Sequence, residues 1–303
     1  NGPYIQSERF EIYQKFAGEL IEKAEAYHCF CDTERLDKLR EEQRALKQPT
    51  MYDRHCRKLT KEDVDAKINR GEKFVIRQKI PTTETLKFKD MIRGNVRFEG
   101  RLIDDQVLVK SDGFPTYHLA NVVDDHMMEV THVIRGEEWL PSTPKHIWLY
   151  KSFGWDAPEF AHIPLLLNKD KTKLSKRQGD VSVEAYIEKD YQKEAILNFI
   201  AFLGWHPGGD LDNEVFTLEE LENVFSLDKV HKAGAVFDLE KLEWFDWQWR
   251  RRKFINYLEE EAKELDDLVE ITVEKKGHRH FKFDKEEVKE EFSNKRALRL
   301  LQL

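Results

Sequence analysis

Val133-Ile134-Arg135-Gly136-Glu137-Glu138-Trp139 reads as a short apolar strand that ends on an arginine and a glycine and runs directly into two acids. In open α/β sheets, ligands bind in the crevice beyond the carboxyl ends of the strands, so a cation fixed beside a glycine at such an end is placed to meet one. The guanidinium of Arg135 can clamp a carboxylate through two parallel hydrogen bonds. On residue chemistry alone it can equally serve a surface ion pair with Asp124 or Asp125.

Working outward, residues 143–153 read as one helix, and the apolar run His162-Ile163-Pro164-Leu165-Leu166-Leu167 follows it. Strand, helix, strand is the rhythm of a parallel α/β unit. Asn168-Lys169-Asp170-Lys171-Thr172-Lys173-Leu174-Ser175-Lys176, with Arg177 behind it, then gathers cations around one small hydroxyl. Such a density of charge needs either a solvated turn or an anion among the lysines, and the loop by itself does not choose between them. On the amino side, residues 112–126 form the densest polar-aromatic cluster of the chain, where Tyr117 can be a half-buried strand aromatic or line a site.

Further towards the amino end the chain is helical. Ser7 is read as the N-cap of a helix whose stripe is Phe10, Tyr13, Phe16, Ala17, Leu20, Ile21 and Ala24. A second helix is expected over residues 33–48, stopped by Pro49, and a third is opened by Thr60 and Asp63 in capping-box spacing and closed at Gly71. Short strands at residues 74–79, 85–89 and 106–110 suggest an antiparallel patch, and beyond Val183 the pattern reads helical throughout.

A chain of 303 residues with 40% hydrophobic and 12% aromatic content has ample material for packed cores and room for several domains. Its net charge of -8 gives no global basic field, although Arg250-Arg251-Arg252-Lys253 is a local one. No apolar run approaches the roughly 20 residues of a membrane span. Three cysteines suit a reducing compartment, so a soluble cytoplasmic protein is expected.

Residues 114–125, 133–139 and Lys173-Leu174-Ser175-Lys176-Arg177 together resemble the catalytic core of the glutamyl-tRNA synthetases, the last matching the Lys-Met-Ser-Lys-Ser loop of class I enzymes. Gly2-Pro3-Tyr4-Ile5-Gln6-Ser7-Glu8-Arg9, Asp53-Arg54-His55-Cys56-Arg57 and Asn198-Phe199-Ile200-Ala201-Phe202-Leu203-Gly204-Trp205 also fit, in order, over residues 1–245. The resemblance implies an α/β, Rossmann-like core with an α+β acceptor-binding insertion and a following all-helical domain. It implies activation of L-glutamate with ATP and Mg2+, and transfer of glutamate to the 3' end of tRNA(Glu) by a monomer. Lys173, Ser175 and Lys176 would act in catalysis, and Glu138, Leu165, Leu166, Leu174 and Arg177 would join them around ATP. Tyr117 and Asn121 would line the glutamate pocket, with His118, Leu119 and Ala120 as the strand between them, and Arg135 would bind the side-chain carboxylate.

The domains expected on this basis are the end of a first Rossmann half (1–27), the insertion (28–112), a second Rossmann half with the lysine loop (113–180), a helical stem-contact domain (181–245) and the start of an anticodon-binding region (246–303). The His-Ile-Gly-His signature of the class is absent, since Pro164 and Leu165 follow His162-Ile163, and His162 is read as structural. A chain lacking the amino half, and inactive alone, accounts for this. A tRNA-modifying glutamyl transferase or a non-catalytic tRNA-binding relative are the competing readings. Cys29, Cys31 and Cys56 lie in the insertion, where some relatives bind zinc; Tyr52, His55 or His28 could complete a tetrahedral site, or the thiols could be unmetallated.

Overall fold

The computed structural model describes residues 2, 4–174, 182–208, 214–261, 268–274 and 278–284, with side chains through residue 256. The chain divides into two compact units. The first comprises Asn1–Lys173, Gly204–Gly208 and Phe225–Val236; the second comprises Leu174–Leu203, Gly209–Val224 and Phe237–Leu303.

In the first unit, helix α1 (Phe10–Glu22) turns Tyr13, Ala17 and Leu20 into the core, as its periodicity requires. Ser7 does not cap it: Ser7 lies in a 3-10 turn, and Arg9 occupies the cap position without a side-chain bond. Strand β1 (Ala26–Cys29) precedes α2 (Thr33–Ala45), whose Asp32 cap accepts from the Arg35 amide. Helix α2 ends before Pro49 is reached, because Lys47 adopts a left-handed φ of 54°. Helix α3 (Lys61–Asn69) carries the expected capping box between Thr60 and Asp63 and ends before Gly71, whose φ is 73°.

Strands β2 (Val75–Gln78), β3 (Thr85–Asp90), β4 (Gly94–Glu99) and β5 (Val107–Val109) follow. They serve two sheets. Strands β1, β2 and β5 form an antiparallel sheet of their own, whereas β3 pairs antiparallel with β4 on one side and parallel with residue Phe160 on the other.

Residues 117–127 form helix α4 (Tyr117–Met127), which corrects the strand expected there. Thr116 is extended at the N-cap position, and Leu119, Ala120, Val122 and Val123 bury one continuous helical face against Tyr13, Ala17 and Leu20. A strand would have sent alternate members of that set to opposite faces. Then come β6 (His132–Gly136), α5 (Thr143–Phe153), β7 (Glu159–Ile163) and β8 (Leu166–Leu167). The β6–α5–β7 unit is parallel, and the sheet order is β4-β3-β7-β6. Strand β8 pairs in parallel with β9 (Ala235–Val236).

In the second unit, α6 (Val183–Glu188), α7 (Lys193–Ala201), α8 (Leu218–Val224) and α9 (Leu239–Glu261) are helices. Ala195, Ile196 and Phe199 of α7 pack against Leu242, Phe245 and Trp249 of α9. Asn198 is fully buried there and is satisfied by the Glu214 carbonyl, the Phe216 amide and the Trp249 indole. Trp249 is thus a core residue, while Trp244 is exposed beneath the Lys241 ammonium. The described residues beyond α9 are not helical. Strands β10 (Leu268–Glu274) and β11 (His278–Asp284) form an antiparallel pair, and both sequences alternate apolar with polar residues at the period of two that strands require.

Candidate active site

The parallel register sets Arg135 of β6 opposite His162 of β7, at the carboxyl ends of both strands. Arg135 Nε donates to His162 Nε2 at 3.2 Å, and Nη2 donates to Thr143 Oγ1 at 3.0 Å and approaches His146 Nδ1 at 3.4 Å. The second ring nitrogen of His146 lies 3.0 Å from His118 Nδ1. Neither carboxylate that could have paired with Arg135 forms a hydrogen bond to it. Asp124 is taken instead by Arg9 at 2.9 Å and by the Tyr13 hydroxyl at 2.7 Å.

Arg135 Nη1 is buried and bonds to nothing in the protein, and the same holds for Asn121 Oδ1 and the Tyr150 hydroxyl. Unpaired buried groups of this kind cost stability unless something else satisfies them. Burial lowers the affinity of His118 for a proton to a pKa of about 4, helped by Lys145 and Arg135, and pushes His146 well below its ordinary value. The acceptors around Arg135 are therefore neutral imidazoles and a hydroxyl. They hold the guanidinium in place without cancelling its charge. Asp125, one turn of α4 beyond Asn121, is pushed up to about 6 by burial, against the opposing pull of Arg135.

Of the residues expected at the glutamate pocket, His118 reaches Arg135 through His146, and the Tyr117 ring lies tilted against Trp139 with ring centroids 4.6 Å apart. Leu119 and Ala120 belong to the sealed core and offer no group to a ligand. His146, Thr143, Tyr150 and Asp90 were not singled out from the sequence. The first three lie on α5, where only the strand pairing on either side reveals which helical face is turned inward.

On the lysine-loop side, Asn168 to Lys173 form a hairpin turn. The Asn168 amide donates to the Thr172 carbonyl at 2.8 Å, Lys171 takes a φ of 67°, and Leu167 bridges Lys173. Asp170 caps the turn through the Thr172 amide and hydroxyl. Lys173 Nζ is 3.9 Å from Glu138 Oε1. Glu138 folds back over Gly136, where an added Cβ would meet the Glu138 carboxylate, so the glycine makes room for it. Arg93 pairs with Glu137 at 2.6 Å, and Glu137 accepts from the Leu165 amide at 3.1 Å. The Leu165 carbonyl accepts from Ala235, so both backbone groups of Leu165 are engaged within the protein. Leu166 is more open to solvent. Ser175, Lys176 and Arg177 lie outside the described residues; Leu174 is described and partly exposed.

Cys29, Cys31 and Cys56 bring their sulfurs within 4.8 Å of one another, the only such metal-capable group among the described residues. Tyr52 closes the cluster: its hydroxyl is 3.3 Å from Cys29 Sγ and 3.4 Å from Cys31 Sγ. Hydrogen bonding from Cys56 lowers the Cys29 thiol, against its burial, while the Cys56 thiol is raised in turn. His28 and His55 are not members of this group.

The family model of the class I tRNA synthetases (E and Q), catalytic domain, matches residues 1–244. The chain belongs to that family. It is 54% identical over 243 residues, 80% of its own length, to a glutamate–tRNA ligase of Clostridioides difficile, of which the match covers 49%. A Fusobacterium nucleatum glutamate–tRNA ligase is 52% identical over 272 residues, covering 90% of this chain and 51% of that relative. The crystal structure of a glutamate tRNA ligase from Elizabethkingia meningosepticum, in complex with its amino acid, superimposes with a TM-score of 0.76 at 39% identity, covering 87% of this chain and 58% of that one. This family member therefore spans about half the length of the curated relatives it matches. Its α/β core is that of the class I synthetases. No described helix is long and apolar enough to cross a membrane.

Proposed function

We propose that the full-length protein is a cytoplasmic, monomeric ligase that activates L-glutamate with ATP and Mg2+ and transfers it to tRNA(Glu). Arg135 carries this reading: its buried guanidinium has one end free and no carboxylate bonded to it. The side-chain carboxylate of glutamate supplies the missing charge and acceptors. Glutamine in the same place would leave the cation uncompensated, which disfavours an amide substrate by several kcal/mol. Asn121 Oδ1 and the Tyr150 hydroxyl offer the remaining open polar atoms to the substrate, and the Tyr117 ring shields it from water beside Trp139.

The α-carboxylate of glutamate attacks the α-phosphate of ATP, and pyrophosphate leaves as glutamyl-adenylate forms; the 2'-hydroxyl of the terminal adenosine then takes the acyl group and releases AMP. Negative charge grows on the departing pyrophosphate. Lys173, and Lys176 and Ser175 beyond it, are assigned to stabilise that charge, with Glu138, Leu165, Leu166, Leu174 and Arg177 forming the nucleotide side. Lys173 rests 3.9 Å from Glu138, an exposed pairing weak enough to be exchanged for a phosphate.

Cys29, Cys31, Cys56 and Tyr52 are assigned one structural zinc. Tetrahedral coordination at Zn–S of about 2.3 Å separates sulfurs by roughly 3.8 Å, and Cys31 and Cys56 already lie 3.6 Å apart.

The test is glutamate-dependent ATP–pyrophosphate exchange and tRNA charging by the full-length protein. Exchange driven by glutamate and not by glutamine is the expected result. A protein that binds tRNA yet charges none with glutamate overturns the proposal.

A further inference from the structure

Behind Arg135, and touching no open surface, lies a second pair of residues. His162 and Asp90 are both fully buried, and Asp90 Oδ2 lies 2.6 Å from His162 Nδ1. Asp90 Oδ1 accepts from the amides of Ile92 at 3.0 Å and Arg93 at 2.8 Å, with the His162 amide at 3.4 Å. These donors outweigh burial and keep the carboxyl below its ordinary range.

An ionised carboxylate can only accept. His162 must therefore carry its proton on Nδ1 and present a lone pair on Nε2, the atom that meets Arg135 Nε at 3.2 Å. Thr143 Oγ1, 3.0 Å from the same nitrogen, can direct its own proton to the Trp139 carbonyl at 3.1 Å and accept from Arg135 Nη2. With Nε and Nη2 committed, Nη1 is the edge left over, and it is the one without a partner. We propose that Asp90 and His162 are positioning residues for amino-acid recognition, Asp90 selecting the His162 tautomer that locks Arg135 with its free edge towards the substrate carboxylate. The inference rests on the reading of Arg135 as the carboxylate-binding residue.

Asp90→Asn is the direct probe. The Asn side chain keeps an oxygen for the backbone amides and turns an N–H towards His162 Nδ1. The ring must then shift its proton to Nε2, which faces the N–H of Arg135 donor to donor. In the full-length protein the KM for glutamate should rise about tenfold to a hundredfold, the worth of one hydrogen bond to a charged group. The KM for ATP should stay within about twofold of wild type in the same pyrophosphate exchange assay.

His162→Gln and His162→Leu keep the inference testable if Asp90→Asn does not fold. Gln offers an acceptor to Arg135 whatever Asp90 does, and Leu offers none, so the glutamate KM should rise less for Gln than for Leu. Arg135→Gln separates the two layers. If it raises the glutamate KM while Asp90→Asn and His162→Leu fold and keep wild-type values, the positioning role is wrong and the reading of Arg135 stands. If Arg135→Gln also leaves the glutamate KM unchanged, both fail.

Discussion

At the scale of single residues, the site is defined by what its polar atoms lack. A buried arginine normally sits against a carboxylate, because desolvating a lone cation is expensive. Arg135 has neutral acceptors on two edges and an open third. Replacing it with Gln should raise the KM for glutamate about a hundredfold or more, with the ATP KM nearly unchanged, as expected when one partner of a buried charge pair is truncated. Steady-state pyrophosphate exchange with each substrate varied in turn checks this. Lys173 makes the opposite prediction. Its ammonium is exposed and paired only with Glu138 among the described residues, so Lys173→Ala should leave glutamate binding intact and lower the rate of adenylate formation by about a hundredfold, the usual loss on removing one transition-state donor. A single-turnover measurement at saturating ATP reads this directly, and an unchanged rate would remove Lys173 from the mechanism.

At the scale of elements, helix α4 links recognition to stability. It buries Leu119, Ala120, Val122 and Val123 on one face and carries Asn121 and Asp125 on the face towards Arg135. Burial raises the Asp125 carboxyl from the ordinary carboxylate range to about 6. The folded state therefore binds this proton more tightly than the unfolded chain, so stability falls as pH rises from about 4 to about 6, and the loss is complete above that range. Asp125→Asn should stabilise the fold by about 1 kcal/mol at pH 7, since solvent screens this partly exposed carboxyl and offsets much of the full conversion, with the difference closing near pH 4. Urea titrations of both proteins at the two pH values test this, and a pH-independent difference would contradict it.

The same helix shows where sequence reasoning reached and where it stopped. Arg135 at a strand end, the capping box of α3 and the limits of α5 were legible, because each is a local pattern. The run Leu119-Ala120-Asn121-Val122-Val123 suits either a helix or a strand by composition, and only its contact with Tyr13, Ala17 and Leu20 decides. Asp90 and His162 are invisible for a stronger reason: they are 72 residues apart and meet only because β3 pairs in parallel with β7. No periodicity encodes that pairing.

At the scale of the whole molecule, the cysteine cluster is what ties the least regular part of the first unit together. Cys29 and Cys31 come from the end of β1 and its exit, and Tyr52 and Cys56 from the connection between α2 and α3. That connection contributes few apolar contacts beyond the small group of Tyr27, Leu36, Leu59 and Val75. Polar ties support it, from Tyr52 to Asp104 at 2.9 Å, from Gln43 to Met51 at 2.8 Å and from the Arg57 guanidinium to the buried Asp105 carboxylate, each neutral hydrogen bond contributing about 1 kcal/mol and a charged one somewhat more. A bound zinc adds its binding energy to folding, because the unfolded chain has no preformed site. Purified protein should therefore carry about one zinc per chain by elemental analysis, and a strong chelator should lower its melting temperature. Cys31→Ser should reproduce both effects, since its sulfur lies 3.6 Å from Cys56 and within reach of Tyr52. The α7–α9 core of the second unit contains none of the ligands, so amide exchange there should be unaffected while protection is lost over β1 and the α2–α3 connection. Zinc-free protein that melts at the same temperature with and without chelator would show that the three thiols and Tyr52 hold this region by packing alone.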